Sequence, residues 1–396
     1  MPEPIRVLHV ITRLIVGGAQ ENTMLTSAML DPARFAVDLV SGPQTGPEGS
    51  LIEEVRARGV PLTILPSLVR QVNPLQDLHA LFSLWKFMRR GRYAIVHTHS
   101  SKAGILGRVA AWLAGVPIIV HTVHGWGFHD HMGTATRLLY VCLEKLVEPM
   151  TDRLVVVSPR NTEKGLKAGI ASPDKYLTIR SGIDIDRFAH PRTPAAQVRA
   201  SLGIPASAPV VITVTRLVPQ KAPLDFLAAA SRVAERVPHA RFLVVGDGPM
   251  RAQVERAIQD MGLAERVVLT GLRRDVPDLL GAADVFALSS LWEGLPRVIL
   301  QAMAAGKPVV VTAADGNAEV VQDGSNGLLV PPGMPAELAK GIVTLLSDPV
   351  RSAEMGRHGQ HSVLPFDRRK MVSDIERLYL DLMQKSRRAE WIQEPS

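Results

Sequence analysis

Short runs rich in β-branched and apolar residues alternate with helical patterns along this chain, and the alternation restarts once. In the first half the runs are IRVLHV, FAVDLV, PLTIL, AIVH, IIVHTV and RLVVVS; in the second they are VVITV, RFLVV, RVVLT, DVFAL and PVVVT. Strands that are apolar on both faces and separated by helices form parallel sheets covered on both sides. In such sheets ligands bind beyond the carboxyl ends of the strands. The pattern predicts an α/β chain of two Rossmann-like domains facing each other across a cleft, and it directs the search for chemistry to the loops that leave the strands.

The length agrees, because 396 residues are too many for one ordinary core. Between the two series lies IDIDRFAHPRTPAAQVRASLGIPASAP, whose prolines and lack of a sustained period read as a linker followed by a short helix. The domain change falls within residues 183–208, giving an N-terminal domain at 1–183 and a C-terminal domain at 184–365. Residues 366–396 remain. From Phe366 to Met383 the apolar positions Met371, Ile375, Leu378 and Leu382 form the stripe of an amphipathic helix, predicted to pack back on the N-terminal domain. The polar end, QKSRRAEWIQEPS, is expected to fray.

With 46% hydrophobic and 21% charged residues, there is apolar material for two cores. The single cysteine, Cys142, excludes an intramolecular disulfide and suits a reducing compartment. The opening MPEPIRVLHVITRL reaches charge or glycine too soon for a signal peptide. No window approaches the roughly 18 apolar residues of a membrane span; the best, Val109 to Val123, is broken by Gly115, Pro117 and His121. A cytoplasmic protein, at most peripheral on a membrane, is expected.

The net charge of +7 is unevenly distributed. Between Leu78 and His129 there is no acidic residue, whereas Lys86, Arg89, Arg90, Arg92, Lys102 and Arg108 all fall there. Within LHALFSLWKFMRRGRY an apolar stripe, Leu81, Leu84, Trp85 and Met88, is bordered by Lys86, Arg89 and Arg90. Such a segment is either a surface helix packed on its own sheet or an adhesive face for anionic lipid. Nucleic acid is not expected, because no recognition motif accompanies the charge.

Several strand-end loops hold candidate ligand groups. Gly17 and Gly18 lie between the first strand and its helix, where backbone amides can approach an anion or simply make a tight turn. Arg216 and Lys221 follow VVITV and suit a diphosphate, one through a fork and one as a point charge; alternatively they are solvated surface charges. In GDGPMR, Gly246 and Gly248 flank Asp247 without the third glycine of a dinucleotide fingerprint, leaving nucleotide contact or turn chemistry. The richest segment is SSLWEGLPRVILQAMAAGKPVVVT. There Glu293, Gly294 and Leu295 precede a helix predicted from Pro296, so the amides of Gly294 and Leu295 would offer a phosphate site and Glu293 could accept bonds from sugar hydroxyls. Six of twelve histidines crowd between His97 and His131, namely His97, His99, His121, His124, His129 and His131, but strand-end spacing accounts for the pairs and no metal is expected.

Taken together, GGAQ, HTVHGWGFH, SGID, RLVPQK, GDGP and EGLPRVILQAMAAGKPVV resemble the retaining glycosyltransferases of family 4, whose two-domain fold is called GT-B. The resemblance spans nearly the whole chain. It implies transfer of a sugar from a nucleotide-sugar, UDP-sugar favoured, without a required metal or other cofactor. The acceptor it implies is a glycan or polyprenyl-linked glycan, in polysaccharide or cell-envelope assembly, with the basic residues Lys86, Arg89, Arg90 and Arg92 toward a membrane. By the same resemblance His124 is the active-site histidine, Arg216 and Lys221 neutralise the departing diphosphate, and Glu293 is the first acid of an E-x7-E motif. The second acid is replaced by Gln301, which can accept a hydrogen bond from a ribose hydroxyl but brings no charge. A nucleotide-sugar epimerase of the same fold, or a non-catalytic binding homologue, are the alternatives.

Overall fold

The computed structural model describes residues 3–44, 46, 48–128, 132–314 and 316–386. It divides into two compact units: one runs to Gly182 and takes back the chain from Arg368, and the other is Ile183–Asp367. His129 and His131, and most of the polar end beyond the last helix, lie outside the described residues.

The first unit holds a seven-stranded parallel sheet. Its strands are β1 (Ile5–Ile11), β2 (Phe35–Ser41), β3 (Leu62–Ile64), β4 (Ile95–His99), β5 (Ile118–Val123), β6 (Arg153–Val156) and β7 (Tyr176–Thr178), in the order β3-β2-β1-β4-β5-β6-β7. The order reverses between β1 and β4. One face, with Val7, Ile95 and Val120, is covered by Met371, Ile375 and Tyr379 of the last helix, Arg368–Lys385. The other face, with Leu8, Val10 and Val96, packs under Leu84 and Met88 of the helix Pro74–Gly91 and Ala103, Ala110 and Ala111 of the helix Ser101–Ala114.

The helix Pro74–Gly91 decides between two readings of its apolar stripe. Leu84 and Met88 are buried and Leu81 and Trp85 pack against the same core, so those four residues serve the sheet, not a lipid. A different flank is open: Leu75, Leu78 and Phe82 are exposed, and Lys86, Arg89 and Arg90 continue the same helical spacing. The basic face is also smaller than its sequence suggests. Arg108 is fully buried, its Nη2 donating to Glu144 at 2.7 Å and its Nε to the Gly104 carbonyl at 2.8 Å, and Lys102 pairs with Asp77.

The second unit holds a six-stranded parallel sheet of β8 (Val210–Val214), β9 (Arg241–Val245), β10 (Val267–Gly271), β11 (Val285–Leu288), β12 (Val309–Thr312) and β13 (Leu328–Val330). The order is β10-β9-β8-β11-β12-β13, reversing between β8 and β11. Each unit therefore has one topological switch point, where the loops leaving two neighbouring strands turn apart and open a crevice for ligands. Linker and division differ slightly from the sequence reading. The segment after Gly182 begins the second unit at once: Ile183 donates to the Phe366 carbonyl at 2.8 Å, and Phe188, Val198 and Ile204 are buried in that unit's core.

Candidate active site

In the second unit the sequence candidates converge at the switch point. The loop after β8 carries Arg216 and Lys221, and the loop after β11 carries Glu293, Gly294 and Leu295. Hydrogen bonds join the loops: Leu291 N donates to the Gln220 carbonyl at 2.8 Å, Gln220 Nε2 to the Trp292 carbonyl at 2.8 Å, and Ser289 Oγ lies 2.9 Å from both the Lys221 and the Ala222 carbonyls. Lys221 Nζ makes an ion pair with the nearly buried Glu293 carboxylate. Ala222, just before the helix Pro223–Arg236, holds φ 42°. A non-glycine residue in the left-handed region costs energy that only a tightly constrained loop sustains.

The helix after Glu293 runs Arg297–Ala304 with Pro296 as its cap, one residue later than the sequence suggests. Gly294 lies against Gly316, where a Cβ would stand 1.6 Å from the Gly294 carbonyl oxygen, so the two loops touch by backbone. Gln301 sits eight residues beyond Glu293, half-buried on the same helix. Packing requires both glycines of GDGP. A Cβ on Gly246 would meet the Thr215 carbonyl oxygen at 1.8 Å and its φ is +133°; one on Gly248 would meet the Leu217 carbonyl oxygen at 2.5 Å. These glycines let the loop after β9 lie flush on the loop that presents Arg216, with Leu217 N donating to the Asp247 carbonyl at 3.0 Å. Pro249 stands outside the following helix, Arg251–Asp260, rather than in its first turn.

In the first unit Gly17 caps the helix Gly18–Met29 in extended backbone, and Gly18 is exposed. Across the switch point, Thr12 Oγ1 and Ser100 Oγ share a hydrogen bond of 2.7 Å. Ser100, at φ 64°, is a second non-glycine residue in the left-handed region at a strand end. His124 follows β5, and its Nε2 lies 3.2 Å from His99 Nδ1.

His99 leads into a buried row that the sequence reading missed in part. His9 Nδ1 lies 2.9 Å from His99 Nε2, and His9 Nε2 lies 3.4 Å from the Tyr379 hydroxyl. That hydroxyl is 2.6 Å from His97 Nδ1, and His97 Nε2 is 2.6 Å from Thr122 Oγ1. Strand register makes the row: His9 pairs with His97 and Ile11 with His99. His121 points to the opposite face and meets Thr98 Oγ1 at 2.9 Å. Ring nitrogens of His9, His97 and His99 come within 4.8 Å of one another. A neutral imidazole has one donor and one acceptor, and both nitrogens of all three rings already have a neighbour, so binding a metal would break the row. Burial holds all four rings neutral: His9 is lowered to about 3, and His97, His99 and His121 lie well below the usual histidine range, chiefly by desolvation.

Residues 208–348 match the family described as glycosyl transferases group 1, and residues 17–182 match the glycosyl transferase 4-like domain. A relative from Escherichia coli, UDP-Gal:alpha-D-GlcNAc-diphosphoundecaprenol alpha-1,3-galactosyltransferase, is 34% identical over 96% of this chain and 97% of its own. The chain belongs to the group 1 glycosyltransferases of family 4. A D-inositol 3-phosphate glycosyltransferase from Saccharomonospora viridis is 30% identical over 75% of this chain and 72% of its own. Among solved structures, Anabaena HepE in complex with UDP-glucose superposes with a TM-score of 0.82 at 24% identity, covering 95% of this chain and 100% of that one. That likeness establishes the GT-B fold. As a family 4 glycosyltransferase the chain is an enzyme of sugar transfer, and the epimerase alternative finds no support among its relatives.

Proposed function

We propose that this glycosyltransferase moves a sugar from a UDP-sugar to a polyprenyl-diphosphate-linked glycan, with retention at the anomeric carbon. The observation that carries the reading is the joining of the loops after β8 and β11, which brings Arg216, Lys221 and Glu293 to one switch point. The Escherichia coli relative, named for a UDP-Gal donor and a diphosphoundecaprenol acceptor, supports both substrate classes.

In this reading the second unit binds the donor. As the bond from the anomeric carbon to the phosphate oxygen breaks, charge grows on the diphosphate. Arg216, Lys221 and the Gly294 and Leu295 amides stabilise it more in the transition state than before. The acceptor hydroxyl bonds to the same face of the carbon, and its proton passes to the departing phosphate oxygen. Glu293 holds Lys221 in place and accepts from the sugar, Gln301 accepts from the ribose, and His124 lies beside the donor sugar. Two fixed cations do the electrostatic work a metal would do, so no cofactor is required.

A calorimetric and thermal-shift screen of UDP-, GDP- and ADP-sugars, with and without Mg²⁺, tests this. Saturable binding of a UDP-sugar without Mg²⁺, lost in Arg216→Ala and tightened in Gln301→Glu, is the expected result. Binding that needs Mg²⁺, or prefers GDP or ADP, overturns the donor assignment.

The flank of Leu75, Leu78 and Phe82 with Lys86, Arg89, Arg90 and Arg92 supports a peripheral membrane position near such an acceptor. Apolar residues entering the headgroup boundary, beside cations worth about 1 kcal/mol each at an anionic surface, give reversible adhesion. No described helix is long and apolar enough to cross a membrane. Sedimentation with phosphatidylglycerol vesicles is expected to fall at least tenfold when Phe82 and Leu78 become serine and Arg89 and Arg90 become glutamine. Unchanged sedimentation removes this surface from the reading.

A further inference from the structure

The two loops that meet at the switch point of the second unit are not built alike. Gln220 and Lys221 belong to one 3-10 turn, Pro219–Lys221, in which Lys221 N donates to the Val218 carbonyl at 3.0 Å and Ala222 N to the Pro219 carbonyl at 3.1 Å. Residues 289–296, which carry Glu293, form neither helix nor strand. The backbone groups of such a segment must find their partners outside it.

Gln220 meets that segment twice. Its backbone carbonyl accepts from Leu291 N at 2.8 Å, and its side-chain Nε2 donates to the Trp292 carbonyl at 2.8 Å. A carbonyl only accepts, so the amide nitrogen of Gln220, and not its oxygen, faces Trp292. The side-chain bond falls where it matters, because Gln220 immediately precedes Lys221 and Trp292 immediately precedes Glu293. On the far side of Glu293, the Gly294 carbonyl lies against Gly316 with no room for a Cβ there. Glu293 is bracketed by these two contacts, and its carboxylate rests on the Lys221 ammonium.

We propose that Gln220 is a positioning residue: its side chain carries the rigidity of the Lys221 turn across to Glu293 and so fixes that carboxylate toward the donor sugar. Ser289 and Leu291 already hold the loops together upstream. The Gln220 amide adds the last fixed point before Glu293. Substitution at 220 leaves the backbone bond to Leu291 available and removes only the side-chain bond, so the two can be separated. Gln220→Met keeps the length of the side chain and withdraws its donor.

This inference rests on the proposed contact of Glu293 with the donor sugar, and its experiment separates the two. Hydrogen exchange of the full-length protein without ligand reads the tether alone. In Gln220→Met the amides of residues 292–295 are expected to exchange about tenfold faster than in the wild type, while the melting temperature stays within about 5 °C. Calorimetry with UDP-galactose and UDP then reads its consequence. The variant should bind UDP-galactose about tenfold more weakly, the share of one hydrogen bond to a charged group. It should bind UDP, which lacks the sugar, within twofold of the wild type, because Lys221 stays on its own turn. In a Glu293→Ala background the same substitution should change UDP-galactose binding less than twofold, since the group it places is gone. Unchanged exchange, equal weakening of both nucleotides, or an equal loss in both backgrounds overturns the proposal. If Glu293→Ala binds UDP-galactose as the wild type does, or the wild type binds neither nucleotide, the sugar contact falls and the exchange result alone decides whether Gln220 holds the segment. If Gln220→Met does not fold, Gln220→Asn, which draws the donor back by one methylene, carries the same expectations.

Discussion

Replacing Lys221 by alanine is expected to lower kcat by about 10²- to 10³-fold, the usual cost of removing one group aimed at developing transition-state charge. Arg216→Ala should do the same. Because both cations also meet the charge the diphosphate carries before the sugar–phosphate bond breaks, donor binding should weaken as well and kcat/KM should fall further than kcat. The two variants are expected to differ in stability. Lys221 is paired with a Glu293 carboxylate whose side chain is only 6% exposed, and truncating one partner of such a pair leaves the other charged and buried, at a cost of about 3 kcal/mol or more. Lys221→Ala should therefore melt well below the wild type, and Lys221→Ala with Glu293→Ala should recover much of the loss without recovering turnover. Steady-state kinetics at saturating donor beside thermal melts separate the effects. A Lys221→Ala enzyme within fivefold of wild-type kcat sinks the leaving-group assignment.

The second large effect is on acid stability. All four buried histidines among the described residues, His9, His97, His99 and His121, lie in the first unit and are kept neutral by burial. Their folded-state values lie below the ordinary 6.5, so between those values the unfolded chain binds protons that the folded chain does not. Stability is then whole above about pH 7 and falls as the pH drops toward the depressed values. From pH 7.5 to 5.5 each histidine costs about 1.4 kcal/mol, roughly 5 kcal/mol for four. Calorimetric scans at the two pH values should show the first unit's transition falling by about 10–20 °C. The second unit's core holds no histidine, and its transition should move much less. Equal shifts of both units would mean the rings are hydrated or already charged.

How much of this was legible beforehand depends on how local each signal is. The long strands were, because runs such as IIVHTV are apolar on both faces. β7 (Tyr176–Thr178) and β13 (Leu328–Val330) were not, although the equally short edge strand β3 (Leu62–Ile64) stood out in PLTIL. The loop positions of Arg216, Lys221 and Glu293 were legible because strand, loop and helix follow one another in sequence. The stripe of Leu81, Leu84, Trp85 and Met88 stayed open between two readings, since one helix carries two apolar stripes and only the sheet under Leu84 and Met88 decides which is inside. Tyr379 was the hardest. It is 282 residues from His97, and nothing near it in the chain announces a partner.

The returning helix also constrains the order in which the molecule can be finished. Ile183 and Asp367 form a parallel bridge, and a Cβ on Gly182 would stand 2.6 Å from the Arg368 Cα. The second unit is thus a closed insert whose two ends leave the first unit side by side. On the ribosome, the first unit must wait with one face of its sheet bare until the whole insert has been made. Only then does Arg368–Lys385 arrive to cover Val7, Ile95 and Val120 and to place its tyrosine on the histidines. Maturation of the half bearing His124 is therefore gated by synthesis of the half bearing Arg216, so a chain cut short before Arg368 has its second unit whole and its first unit unfinished.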